Sequence, residues 1–277
     1  MKRYYLFIFN IFFCFGLFSQ SNFSFSGDLQ INGQTFQEDL SIGAEKREPN
    51  INSYLNLILD YKNYLKIGTR LELYRNPIPG FENYEGEGIA YKFIQFQKWN
   101  FDITLGNFYD QFGSGVLFRS YFDQNLGIDN SVNGARLKFK PSSGIDLTAI
   151  IGKQRNYWKL GEGIIRGFDA QIYINDYFFK NSKTTINLGG SFVTKKQKDN
   201  DPFFILPENV GAWSGRMNIS KGRWNFDSEY AYKINDPSFT NNYIYKNGNS
   251  IIVSGSYSKK GLGLVLSGKR VDNMNFR

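Results

Sequence analysis

Two adjacent stretches decide the fold: Tyr54-Leu55-Asn56-Leu57-Ile58-Leu59-Asp60-Tyr61 and Leu65-Lys66-Ile67-Gly68-Thr69-Arg70-Leu71-Glu72-Leu73. In the first, Leu55, Leu57, Leu59 and Tyr61 share one parity, with Tyr54, Asn56, Ile58 and Asp60 on the other. In the second, Lys66, Gly68, Arg70 and Glu72 alternate with Leu65, Ile67, Thr69, Leu71 and Leu73. Side chains on a strand point to opposite faces with period two, so each run has one apolar and one polar face. Lys62 and Asn63 supply the turn of a hairpin. A sheet that is polar inside and apolar outside is what a transmembrane β-barrel requires. A soluble all-β sandwich also alternates but buries its apolar face. Strand length, a rhythm of short turns and long loops, and 18% aromatic residues favour the membrane.

The pattern recurs along the chain in about thirteen strands, each near the roughly nine to eleven residues that cross a bilayer when tilted. They are expected at Asn22–Asn32, Asn52–Tyr61, Tyr64–Arg75, Ile89–Gln97, Trp99–Leu105, Gly134–Lys140, Ile145–Gln154, Gly167–Ile174, Thr184–Val193, Gly211–Ser220, Trp224–Ile234, Ser250–Ser258 and Leu262–Lys269. Lipid-facing sets include Leu137 and Phe139; Ile145, Leu147 and Ile151; Phe168, Ala170, Ile172 and Ile174; and Leu262, Leu264 and Leu266. Arg136, Lys138, Asp146, Asp169, Arg216, Asp227, Glu229 and Lys269 hold the opposite parity. Trp99, Trp213 and Trp224 are placed near strand ends, as in an interfacial girdle. With a periplasmic N-terminus every long loop falls outside the cell. An odd strand count does not close antiparallel, and Asn275-Phe276-Arg277 is not an amphipathic strand end. The expected fold is therefore an all-β, antiparallel up-and-down transmembrane β-barrel, incomplete at its C-terminus and forming the front portion of a larger barrel.

The first nineteen residues read as a cleaved signal peptide: Lys2 and Arg3, an apolar stretch from Tyr4 to Phe18, then Ser19 before Gln20. The barrel is assigned to residues 20–277. The only cysteine, Cys14, lies inside the signal, and the sequence has no histidine. The mature chain thus lacks disulfides, thiolate nucleophiles, Cys/His zinc ligands and a Ser-His-Asp triad. No enzymatic activity and no cofactor are expected. The net charge of +8 falls to +6 without Lys2 and Arg3, and the bases are interspersed with nearly as many acids, so nucleic acid is not an expected partner.

The longest irregular stretch, Gly106 to Asn133, is the candidate site, because long loops in an ordered protein are usually functional or disordered. Gly106, Gly113, Gly115 and Gly127 allow bends, and Phe108, Tyr109, Phe112, Phe118, Tyr121 and Phe122 offer anchors. So aromatic a loop is expected to fold inward as a constriction or plug. Arg119, Asp123, Asp129 and Arg136 would form a charged eyelet, since rings of charge set selectivity in pores. The blander alternative is a loop held by Arg–Asp pairs that only fills space. Asp123-x-Asn125-x-Gly127-x-Asp129 alternates oxygen ligands like a calcium loop but has Gly134 where the distal glutamate belongs. Asp227 and Glu229 share a strand face, as acids do on any wet face. Glycines inside strands, Gly68 and Gly189 among them, are expected to relieve curvature.

Gly106-Asn-Phe-Tyr-Asp-Gln-Phe-Gly-Ser-Gly115, Arg119-Ser-Tyr-Phe-Asp123, Gly127-Ile-Asp-Asn130 and Gly134-Ala-Arg136 resemble an uncharacterised family of Bacteroidetes outer-membrane proteins. The resemblance implies a porin-like barrel in the outer membrane and longer relatives; it carries no established activity or catalytic residues. The expected function is a passive or substrate-selective channel for small solutes. The alternative is a binding or assembly protein whose external loops, such as 33–51 and 194–209, contact a protein partner or a glycan. Outer-membrane lipid and small solutes are the expected partners.

Overall fold

The computed structural model describes residues 22–43 and 46–277. The signal-peptide expectation for residues 1–19 lies outside the described residues. The chain divides into two units, 1–97 and 98–277. Both are all-β, with no α-helix among the described residues and thirteen long strands in up-and-down order along the chain.

The first unit holds β1 (Phe23–Gln34), β2 (Asn50–Tyr61), β3 (Leu65–Arg75) and β4 (Gly86–Lys98), each antiparallel to the next. The β2–β3 hairpin turns on Lys62 and Asn63, both left-handed (φ 53° and 61°), and the Asn63 amide donates to Asp60 Oδ1 at 2.8 Å. Its polar face buries Tyr54, Arg70, Glu72 and Tyr74, while Ile67, Leu71, Ile89 and Ile94 stand exposed on the other. Between Arg70 and Leu71 the register with β4 shifts, so Ile89 pairs with Leu71 and Tyr91 with Arg70. That bulge keeps Ile89 on the apolar face and brings Tyr91 under the Arg70 guanidinium, 5.3 Å from the ring centre. Gly68 does more than relieve curvature, because a Cβ there would sit 2.2 Å from the Phe93 ring that covers it. β1 is exposed along its whole length, as expected of an edge strand.

The second unit begins with β5 (Phe101–Phe108) and four two-residue strands, β6 (Asp110–Gln111), β7 (Arg119–Ser120), β8 (Phe122–Asp123) and β9 (Ile128–Asp129). The long strands follow: β10 (Val132–Ser142), β11 (Ile145–Asn156), β12 (Lys159–Tyr173), β13 (Thr184–Lys196), β14 (Asn209–Lys221), β15 (Trp224–Lys233), β16 (Gly248–Lys259) and β17 (Leu262–Asp272). Register links Ile103, Leu137, Ala149, Phe168, Phe192 and Trp213 into one row across six strands. Ile103, Leu137, Phe168, Phe192 and Trp213 in that row are exposed. One residue along, Thr104, Arg136, Ile150, Gly167, Val193 and Ala212 form the row on the opposite face. The buried core of this unit, including Phe108, Phe112, Phe118, Val132, Ile150, Ile165 and Val193, lies on that second face.

Two expectations need correction. A loop between Gln154 and Gly167 does not form; β11 and β12 run on to a tight turn at Tyr157 (φ 55°) and Trp158. The Gly-Glu-Gly at 161–163 hides this, because the register shift between Lys153 and Arg155 absorbs extra residues there and breaks the alternation. Trp99 stands in the turn between β4 and β5 (φ 54°) and Trp224 opens β15, both at strand ends as expected, whereas Trp213 lies inside β14. Residues 273–277 form no strand, as expected, and fold back: Met274 is buried in the core, Lys233 donates to the Asn275 carbonyl at 2.6 Å and the Arg277 amide to Asp236 at 2.6 Å.

The face split makes a measurable demand. In protein refolded into lipid vesicles, Phe168→Arg is expected to cost about 2–4 kcal/mol, the toll of a charge on a lipid face. Thr148→Arg, on the opposite parity and in register with Asp169, is expected to cost far less; urea titration of both variants checks it.

Candidate functional site

The loop between β5 and β10 folds onto the polar face of the second unit. Two small hairpins, β6–β7 and β8–β9, give it internal order. Gly113 (φ 52°) and Gly115 (φ 87°) make its tip, closed by a hydrogen bond from the Gly115 amide to the Phe112 carbonyl at 2.9 Å. Phe112 and Phe118 tilt against each other with ring centres 5.2 Å apart and, with Leu117, enter the buried core. Gly167 on β12 makes room for them, since a Cβ there would lie 2.7 Å from the Phe112 ring. At the tip the Ser114 amide donates to Glu229 Oε2 on β15 at 2.8 Å.

Charge fixes the base of the loop. Asp129 accepts from Tyr109 Oη at 2.9 Å and from the Ser131 amide at 3.1 Å, and it forms a short, buried ion pair with Arg155 of β11. Arg155 Nε also donates to the Tyr157 carbonyl at 2.5 Å. Arg136 donates to the Tyr109 carbonyl (3.2 Å) and Thr104 Oγ1 (3.0 Å) and lies 3.5 Å from Asp110 and 3.6 Å from Asp102. Lys138 completes that group with a 2.9 Å contact to Asp110.

Phe108, Tyr109, Asp129 and Arg136 therefore meet, with Arg136 5.8 Å from the centre of the Phe108 ring. Arg119 instead stacks on Tyr121 at 4.2 Å. Asp123 caps its own turn by accepting from the amides of Asn125 and Leu126 at 2.9 and 3.1 Å. Among the contacts of the four charges of the expected eyelet, Asp129 and Arg136 share Tyr109 while Arg119 and Asp123 have partners of their own. With Asp129 ion-paired to Arg155 and Asp123 in its turn, the calcium-like spacing serves protein contacts. Sequence reading missed Asp102, Asp110, Arg155 and the tip contact of Glu229. Polar parity signalled Asp102 and Glu229; Asp110 lies in the loop, and Arg155 has the odd parity of Ile145, Leu147 and Ile151 until the register shift after Lys153, so neither was signalled.

Further along the same face Arg216 grips Asp169 with paired bonds of 2.7 and 2.8 Å, and Ser191 donates to the same carboxylate at 2.5 Å. Gly189 lies beneath Arg216, where a Cβ would be 2.3 Å from Nε. Beyond the strands, loops 197–208 and 234–247 meet: Phe204 and Tyr243 stack at 4.1 Å, and Tyr245 Oη donates to the Ile205 carbonyl at 2.8 Å. Phe203, Ile205 and Phe239 stand fully out from these loops. In the first of them Asp199 accepts from the amides of Leu206 and Asp201, and these bonds hold its carboxyl below the usual range.

The chain belongs to the family described as a family of unknown function (DUF6029), whose model matches residues 1–277. Comparison with curated proteins finds no match. Among solved structures it is similar to a BenF-like porin from Pseudomonas fluorescens Pf-5, at 12% identity and TM-score 0.41, covering 90% of this chain and 80% of that one. It is also similar to the outer membrane channel DcaP of Acinetobacter baumannii, at 13% identity and TM-score 0.39, covering 91% and 78%. A mutant porin of Rh. blastica follows at 14% identity and TM-score 0.31, covering 89% and 94%. Scores this low decide nothing about fold or function; the strand register carries the fold.

Arg155→Met leaves a buried carboxylate without its cation, a change that costs about 3–5 kcal/mol when a buried pair is broken. The expected result is rapid proteolytic nicking between residues 109 and 131, with the sheet intact by circular dichroism. For Asp199, folding lowers the carboxyl pKa, so its contribution is complete above the unfolded value of about 3.9 and is lost as pH falls through the depressed folded value. Amide protection at Leu206 is expected to stay constant at neutral pH and drop only in that acid window, and Asp199→Asn should remove the drop.

Proposed function

We propose that this DUF6029 protein is an outer-membrane β-barrel channel for small solutes, in which the loop between β5 and β10 is the constriction. One observation carries the reading: the strands expose an apolar face and turn a charged face inward upon a folded, aromatic-anchored loop. A soluble sheet would bury the first face and has no use for a plug on the second. In this reading residues 1–19 are a signal peptide cleaved on export, and 20–277 lie in the outer membrane, in contact with lipid. Solutes pass along Arg119, Tyr121 and Asp123 at the sides of the loop, while Tyr109, Asp129 and Arg136 hold its base in place, with no chemical step and no cofactor.

A second reading rests on the exposed apolar side chains Phe203, Ile205 and Phe239 of the two outer loops, which meet through Phe204 and Tyr243. Contiguous exposed apolar surface marks contact sites. It supports a binding protein that engages a partner or glycan without transport.

Conductance separates the two. Replacing residues 111–119 by a short Gly-Ser linker is expected to raise single-channel conductance in planar bilayers several-fold, because the rings seating the loop are gone. No current from either the wild type or this variant would overturn the channel reading.

A further inference from the structure

On the polar face of the second unit, strands β12 to β16 enclose a recess of about 390 Å³, with Gly113 and Ser114 of the loop tip at its edge. That size suits a small ligand. Its charged wall consists of Arg216, Asp227 and Glu229. Arg216 is neutralised by its paired bonds to Asp169. Asp227 accepts from Asn218 at 2.6 Å and from Asn225, both neutral amides, so its negative charge stands. Glu229 is 6% exposed; its Oε2 accepts from the Ser114 amide, and its Oε1 has no hydrogen-bond partner among the described residues. Asn187 Oδ1, on the same wall, is likewise a buried acceptor without a donor. Lys269 is in register with Ile252 at the rim but does not line the recess.

Two carboxylates without a cation and two acceptors without a donor among the described residues define what the recess takes. A buried charge left uncompensated is costly, and so is a buried acceptor. We propose that the recess is a binding subsite for the ammonium group of a small organic amine, held by Glu229 and Asp227 with Asn187 as a further acceptor. An ammonium offers three donors and a positive charge, which matches this wall. An anion would meet two carboxylates, and a neutral polyol would leave the charge unbalanced. The subsite rests on the channel reading only for its role in selecting solutes; the chemistry of the wall stands without it.

The test is calorimetric titration of the full chain, refolded in detergent, with 1,4-diaminobutane and with 1,4-butanediol, which has the same carbon chain and no charge. The diamine is expected to bind and the diol to give no heat. Glu229→Gln keeps an oxygen for the Ser114 amide and should weaken the diamine by about tenfold or more, the effect of removing a charged partner. Asp227→Asn should weaken it less. Equal affinity in wild type and both variants, or a diol that binds as tightly as the diamine, overturns the proposal. If Glu229→Gln does not refold, Asp227→Asn and the diamine–diol comparison decide alone. Planar-bilayer currents recorded alongside keep the two readings apart. Binding without any conductance removes the channel and leaves the subsite; conductance with no diamine binding removes the subsite and leaves the channel.

Discussion

Each strand commits its side chains to one of two faces, and hydrogen-bonded register with its neighbour fixes which residues share a row. In the second unit that register runs through Leu137, Ala149, Phe168, Phe192 and Trp213 on one face. One residue along, it runs through Arg136, Ile150, Gly167, Val193 and Ala212 on the other. A single-residue slip of β10 would carry Arg136 among the rings and Leu137 among the charges. Antiparallel pairing alone tolerates such a slip; the contrast between faces does not. The bulge at Arg70 in the first unit obeys the same demand, since it shifts β4 where simple alternation would have turned Ile89 inward.

That constraint also explains the residues that violate the pattern. Ile150, Ile165, Val193 and Ala231 are apolar yet occupy the polar face. They form a socket. Phe112, Leu117 and Phe118 from the loop bury themselves there, and Gly167 supplies the hollow for the Phe112 ring. Burying one such side chain contributes about 1.5–3 kcal/mol, so three of them hold the loop more firmly than any single ion pair on its surface. The polar face is thus a socket ringed by charge, and the loop is the part that fits it.

The sequence made the strands readable because period two is a local property. All thirteen expected strands correspond to long strands of the structure, with ends within about three residues except that β12 begins eight residues earlier than expected, at Lys159. The inward fold of the loop was readable from its aromatic content. What stayed hidden depended on partners far away in sequence. Nothing near Asp129 indicates Arg155, and nothing near Ser114 indicates Glu229, because each pairing exists only after the loop has crossed to β11 or β15. The turn at Tyr157 and Trp158 was hidden for a different reason: glycines at 161 and 163 break the alternation that would have extended β12 back to Lys159.

The loop is not held evenly along its length. Its base is tied by Asp129 to Arg155 and by Arg136 and Lys138 to Asp110, all on adjoining strands β10 and β11. Its middle is seated by rings in the socket. Its tip, flanked by two glycines in left-handed conformation, has Glu229 as its charged contact through one amide. A hydrogen bond to a charged group is worth about 1.5–3 kcal/mol, and here one oxygen of that carboxylate serves the tip while the other has no donor among the described residues. A cation that engages Glu229 competes for the same charge that holds Ser114. If the recess takes an ammonium, the side chain that closes the loop tip is the one that binds it, and occupancy of the recess is then coupled to the position of the tip.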